Sequence, residues 1–157
     1  MLRQLAFALV FAAGLTGHGL ADELVQADPW RIIHIAKEFG AAHVGRDSQR
    51  TPMIEGEISN LSYRIVFHDC YLGRDCRVLL FQSALYKEDW LRDPPGAGDI
   101  ARWNREKLFG RAYRDDENRM FLEHPVTLEG GVPVANLKDA FVRWQTALEE
   151  FSDFVDF

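Results

Sequence analysis

The 157-residue sequence predicts an α+β domain, an antiparallel sheet with helices in the order α-β-β-β(-β)-α-β-β-α. Three observations carry that expectation. Apolar residues recur at helical spacing in two segments, 27–40 and 133–155. Runs such as "MIEGEIS" and "YRIVF" alternate apolar and polar residues with a period of two. These runs follow one another through short turns, the pattern of an antiparallel meander with helices set apart from it.

The elements follow in order. In "ADPWRIIHIAKEFG", Trp30, Ile32, Ile33, Ile35, Ala36 and Phe39 fall at helical spacings. Asp28 suits the N-cap, Pro29 suits N1, and Gly40 suits the stop after the helix. "AHVGR" adds a short strand. "MIEGEIS" and "YRIVF" are joined by the turn "SNLS", with Tyr63, Ile65 and Phe67 on one face and Arg64 and Val66 on the other. "RVLLFQSAL" is nearly continuously apolar and suits a central strand. Two prolines and two glycines make "YKEDWLRDPPGAGD" a loop. The second helix is expected in "DIARWNREKLFG", capped by Asp99, with Ile100, Trp103 and Leu108 on one face and Gly110 at its end. "RAYRDDENRMFLEHPVTL" reads as a hairpin turning at "DDEN". "EGG" then releases the last helix, with Pro133 at N1 and Leu137, Phe141, Trp144, Leu148, Phe151 and Val155 as its apolar stripe.

The first 21 residues stand apart. Arg3 precedes the apolar run "LAFALVFAAGLTG", which is shorter than the roughly 20 residues a membrane span needs. "GHGLA" follows, with small residues at the positions a signal peptidase reads. We therefore expect residues 1–21 to be a signal peptide cleaved between Ala21 and Asp22, leaving one domain over 22–157 in the periplasm or outside the cell. Arg3 is the only Lys or Arg lost. The 18 Lys+Arg become 17 against 24 Asp+Glu, a net charge of −7. Such a balance disfavours nucleic acid, which calls for a clustered basic face, and a hold on anionic membrane after cleavage.

An exported chain lives in an oxidising compartment. Cys70 and Cys76 are separated by "YLGRD" between strand-like flanks, so a hairpin around Gly73 brings them face to face as a disulfide. Redox dithiols favour two intervening residues, and no second ligand pair lies at zinc-like spacing.

The densest polar stretch is "RWNREKLFGRAY". Trp103 reads as a core anchor whose N–H needs a partner. Asn104 can tie the helix to backbone at a strand end. Arg105, Glu106 and Lys107 make a solvated face, and Arg111 and Tyr113 point away from Ala112. The chain offers no nucleophile elbow around its serines, no metal spacing among His34, His43, His68 and His124, and no phosphate loop or dinucleotide fingerprint. No catalytic residue, metal or cofactor is expected.

The combination "CRVLLFQSAL", "RWNREKLFGRAYRDDENRMFLE", "LEGGV" and a C-terminal aromatic helix resembles the YbjN-domain family of bacterial sensory-transduction regulators. The likeness runs from about Pro29 to the end. It departs at Leu108, where the family tends to a basic residue, and at "EHPV", where His124 and Pro125 replace an acidic pattern. The resemblance implies a fold like that of type III secretion chaperones. It further implies a non-catalytic, chaperone-like interaction domain for an unknown protein or peptide partner, and it admits a homodimer. Trp103, Asn104, Arg111 and Tyr113 are the candidate partner or ligand surface, and Trp90, Tyr86 and Phe154 are aromatics in excess of the core. The second reading is a small-ligand-binding protein or hydrolase using the Trp103–Arg111 region.

Overall fold

The computed structural model describes residues 23–48, 50–71 and 75–157. The expected signal segment, residues 1–21, lies outside the described residues, as do Asp22 after its expected cleavage point at Ala21 and Gly73 at the expected hairpin apex. The described chain is mixed α+β: three helices, a six-stranded antiparallel sheet and a separate two-stranded one. The short strand β1 (Leu24–Val25) precedes helix α1 (Pro29–Ala36). A meander follows: β2 (Ala41–Arg46), β3 (Pro52–Ile58), β4 (Leu61–His68) and β5 (Val78–Leu85). A 3₁₀ turn, Glu88–Leu91, interrupts the expected loop and leads to α2 (Ala97–Glu106). The hairpin β6 (Arg111–Arg114) and β7 (Met120–Thr127), the short β8 (Val132–Pro133) and the long α3 (Val134–Phe154) complete it. The large sheet runs β2-β3-β4-β5-β7-β6, and β1 pairs with β8.

Alternation decides what each face does. Tyr63, Ile65 and Phe67 of β4 are buried, as are Leu79, Phe81 and Leu85 of β5, and they share the face on which the helices lie. The whole predicted stripe of α3, from Leu137 to Val155, is buried. Phe141 stacks on Phe39 (5.0 Å between ring centroids) and meets Phe81 edge-on (4.9 Å), while Trp144 lies 5.7 Å from Phe81. Gly56 lets β3 slide under the Tyr63 ring; a Cβ there would lie 2.6 Å from the phenol. Tyr63 Oη and Trp144 Nε1 are buried without a hydrogen-bond partner among the described residues, a polar cost of this aromatic layer. Cys70 and Cys76 form the expected disulfide between the ends of β4 and β5.

Several local expectations are corrected. Trp30 is 69% exposed. At 100° per residue it lies about 120° or more from the centre of the Ile32, Ile33, Ile35 and Ala36 stripe, and its N–H is held by the Asp28 cap at 2.9 Å. The helix also ends at Ala36 rather than at Gly40. Gly40 instead passes against β3, where an added Cβ would sit 2.0 Å from the Glu57 carbonyl oxygen. Asp99 is not the N-cap of α2. The helix begins one turn earlier with Gly96 as cap, and Asp99 reaches back to accept the Gly96 N–H at 3.2 Å. Leu108 lies beyond that helix and is 88% exposed. Pro133 is the N-cap of α3 rather than N1, because it is still paired with Leu24 in the two-stranded sheet. Trp90 is core, 4% exposed and packed on Phe157.

Trp144→Ala should remove most of the stability of this domain. Deleting a buried aromatic costs about 3–5 kcal/mol, and Trp144 is fully buried at the centre of the layer. A urea melt of the variant should show a collapsed midpoint or no cooperative transition.

Candidate functional site

Two constructions occupy the region that the sequence singles out. The first is a joint. Trp103 of α2 is 1% exposed, edge-on to Phe151 (4.9 Å) and beside Phe154 (5.3 Å), and its Nε1–H donates to the Gly110 carbonyl at 2.7 Å. Gly110 carries φ = +80°, and its Cβ position lies 2.8 Å from Leu122, so backbone geometry and space both favour glycine there. One residue further along α2, Asn104 accepts the Ala112 N–H at 2.8 Å and donates to the Ala112 carbonyl at 2.9 Å. Ala112 lies in β6, the last strand of the sheet. A single side-chain amide thus gives an edge residue the donor and acceptor that a neighbouring strand would have given. At Ala112 that edge is closed against further pairing.

The second construction lies on the sheet's other face, which none of the described helices covers. Strand register aligns His43, Glu55, Arg64, Gln82, Glu123 and Arg111 in one row across all six strands. His43 meets Glu55 at 2.8 Å, and Arg64 Nε donates to Gln82 Oε1 at 2.6 Å. Gln82 in turn donates to Tyr113 Oη at 3.2 Å and to the Glu123 carboxylate. Glu123 also accepts from Tyr113 at 2.8 Å and pairs with Arg111 at 3.4 Å. Burial, reinforced by Glu123, pushes the Tyr113 hydroxyl up to about 12, so it stays a donor at neutral pH. Beside this row lies a trough of about 890 Å³ with a floor of small side chains, Ala41, Ser62 and Ala84, closed at one end by Phe121 and Arg119.

The four candidate residues therefore part company. Trp103 and Asn104 belong to the joint, while Arg111 and Tyr113 belong to the polar row. Sequence reasoning missed Gln82 and Glu123, although both stand at outward positions of alternating strands. A polar Gln inside "RVLLFQSAL" was the available signal.

His124 and Pro125 now have places. The β6–β7 pairing stops at Glu123, so Pro125 stands where β7 has no strand on that side and its missing N–H leaves no ladder bond unmade. His124 faces the helices, edge-on to Phe109 at 5.6 Å, with the Arg143 guanidinium 4.6 Å from the same ring. Burial, and then the charge of Arg143, hold its pKa below the ordinary histidine value.

No group of three or more His, Cys, Asp or Glu that could hold a metal occurs among the described residues. No helix among them is long and apolar enough to cross a membrane. Residues 28–157 match the model of a family described as "putative bacterial sensory transduction regulator". The chain belongs to this family, YbjN. No curated protein matches it.

Two outcomes follow from this geometry. Trp103→Ala should cost about 3–5 kcal/mol and Asn104→Ala only roughly 1–2 kcal/mol for two partly exposed hydrogen bonds, as measured by denaturant melts. Equal losses would contradict the division of labour within the joint. Stability should also fall as pH drops below about 6.5, where the unfolded chain's histidine takes up a proton that folded His124 resists. His124→Gln should flatten the decline in melting temperature between pH 7.5 and 5.

Proposed function

We propose that this protein is a non-catalytic, periplasmic regulatory domain that holds a protein or peptide segment of a partner, in a chaperone-like manner, on the open face of its sheet. The observation that carries this reading is the trough: a concavity beside a side-chain row that runs across all six strands, on a face that none of the described helices covers. The row preorganises its polar groups, so a partner meets side chains whose rotamers are already fixed. Membership of a regulator family supports a binding role rather than a reaction. The N-terminal apolar segment and the Cys70–Cys76 disulfide support export.

The second reading, a small-ligand site, draws on the trough's volume, which falls within the roughly 300–1,000 Å³ common for such pockets. A hydrolase at the Trp103–Arg111 region has less support, because Trp103 and Asn104 spend their polar atoms on Gly110 and Ala112.

Photo-crosslinking in intact cells separates the readings. A benzophenone side chain at Ala84, on the trough floor, should yield protein adducts in periplasmic extract. The same group at Thr146, exposed on α3, should not. Equal adducts at both positions, or none at Ala84, would defeat the open-face reading.

A further inference from the structure

The trough carries two charges that have no ion-pair partner among the described residues. Among the described residues, the carboxylate of Glu57 in β3 finds no hydrogen-bond or ion-pair partner. Arg64 of β4 spends Nε and one terminal nitrogen on the amide oxygen of Gln82 and has no carboxylate of a described residue within ion-pair distance. Its cross-strand neighbour Glu55 has the complementary sign but is turned away. That carboxylate binds His43 and lies over Gly45, where an added Cβ would be 2.8 Å from Oε2.

Register sets the spacing. Glu57 stands opposite Ser62 and Glu55 opposite Arg64, so Glu57 and Arg64 are diagonal neighbours, about 7–8 Å apart in general sheet geometry. We propose that the trough takes an extended peptide segment bearing a basic and an acidic residue two positions apart, the basic one on Glu57 and the acidic one on Arg64. This names the partner's chemistry and rests on the open-face reading. In an extended chain, residues i and i+2 point the same way and are about 6.6 Å apart, which matches the diagonal. A free amino acid carries its two charges on one carbon and falls short of it. A segment of one sign sets a like charge against either Glu57 or Arg64. Ala41, Ser62 and Ala84 are short enough to let a peptide backbone approach between the two charges.

The test is an NMR titration of the ¹⁵N-labelled protein at low salt with three capped pentapeptides, Ala-Lys-Ala-Glu-Ala and its Lys/Lys and Glu/Glu counterparts, and with free glycine. The mixed peptide should shift the amides of Ala41, Ser62 and Ala84 and bind about fivefold or more tightly than either single-sign peptide, since each exposed ion pair is individually weak. Arg64→Glu should transfer the preference to the Lys/Lys peptide. Glu57→Lys should transfer it to the Glu/Glu peptide, and because Glu57 is exposed and uncommitted, this variant keeps the test decisive should Arg64→Glu fail to fold. Equal responses to all three peptides, an equal response to glycine, or shifts outside the trough would overturn the proposal. Silent peptides together with Ala84 adducts would reject the charge pairing alone, whereas silent peptides without adducts would reject the open-face reading as well.

Discussion

The stripe that α3 lays across the sheet is the contact on which the remaining architecture depends. Phe141, Trp144, Leu148 and Phe151 are fully buried along it, and the rings of Phe39, Phe81 and Tyr63 close on them from the turn after α1 and from the strands. An aromatic side chain buries roughly 150–250 Å², which at about 25 cal/mol/Å² amounts to some 4–6 kcal/mol each before entropy is charged. One helix of 21 residues spends that contact on a single face. The other face of the sheet is left without a cover among the described residues, and its side chains satisfy one another or stand open.

The uncovered face solves this with a row rather than with isolated surface residues. Exposed ion pairs contribute little singly, but Gln82 is nearly buried and Glu123 largely so, and each bonds across two strand boundaries. Those shared bonds hold four strands, β4, β5, β7 and β6, in one register from outside while the aromatic layer holds them from within. Between β3 and β4 the row is interrupted, because Glu55 turns toward β2 and Arg64 toward β5. That interruption is where the trough opens.

The β6 edge of the sheet is fastened by α2. At β6 the Asn104 amide occupies the backbone groups of Ala112, and Trp103 pins α2 beside it through Gly110. The cluster "WNREKLFGRAY" thus puts two adjacent residues of one helix to structural use, one by burial and one by edge closure. Lys107, also in that cluster, ties α2 to α3 through Glu150 at 2.9 Å. Polar density in a short motif, which suggests a site when read along the chain, here serves to seal and fasten a strand.

What the sequence alone determined was whatever depends on periodicity and local chemistry. The α3 stripe, the alternation of Tyr63, Ile65 and Phe67, the central place of β5 and the Cys70–Cys76 pairing were all legible, because spacing of 3.6 or 2 dictates which side of an element a residue occupies. Helix ends were less so: Gly40, Asp99 and Pro133 each satisfied a capping rule, yet packing of Gly40 on β3 and pairing of Pro133 with Leu24 set the boundaries instead. Trp30 and Trp90 exchanged their expected places, since burial of a lone aromatic depends on which element arrives to cover it. The row from His43 to Arg111 was decided by tertiary structure alone. Its members are separated by up to 80 positions in the chain, and only the register of six strands, with β7 entering between β5 and β6, places their side chains within hydrogen-bonding reach.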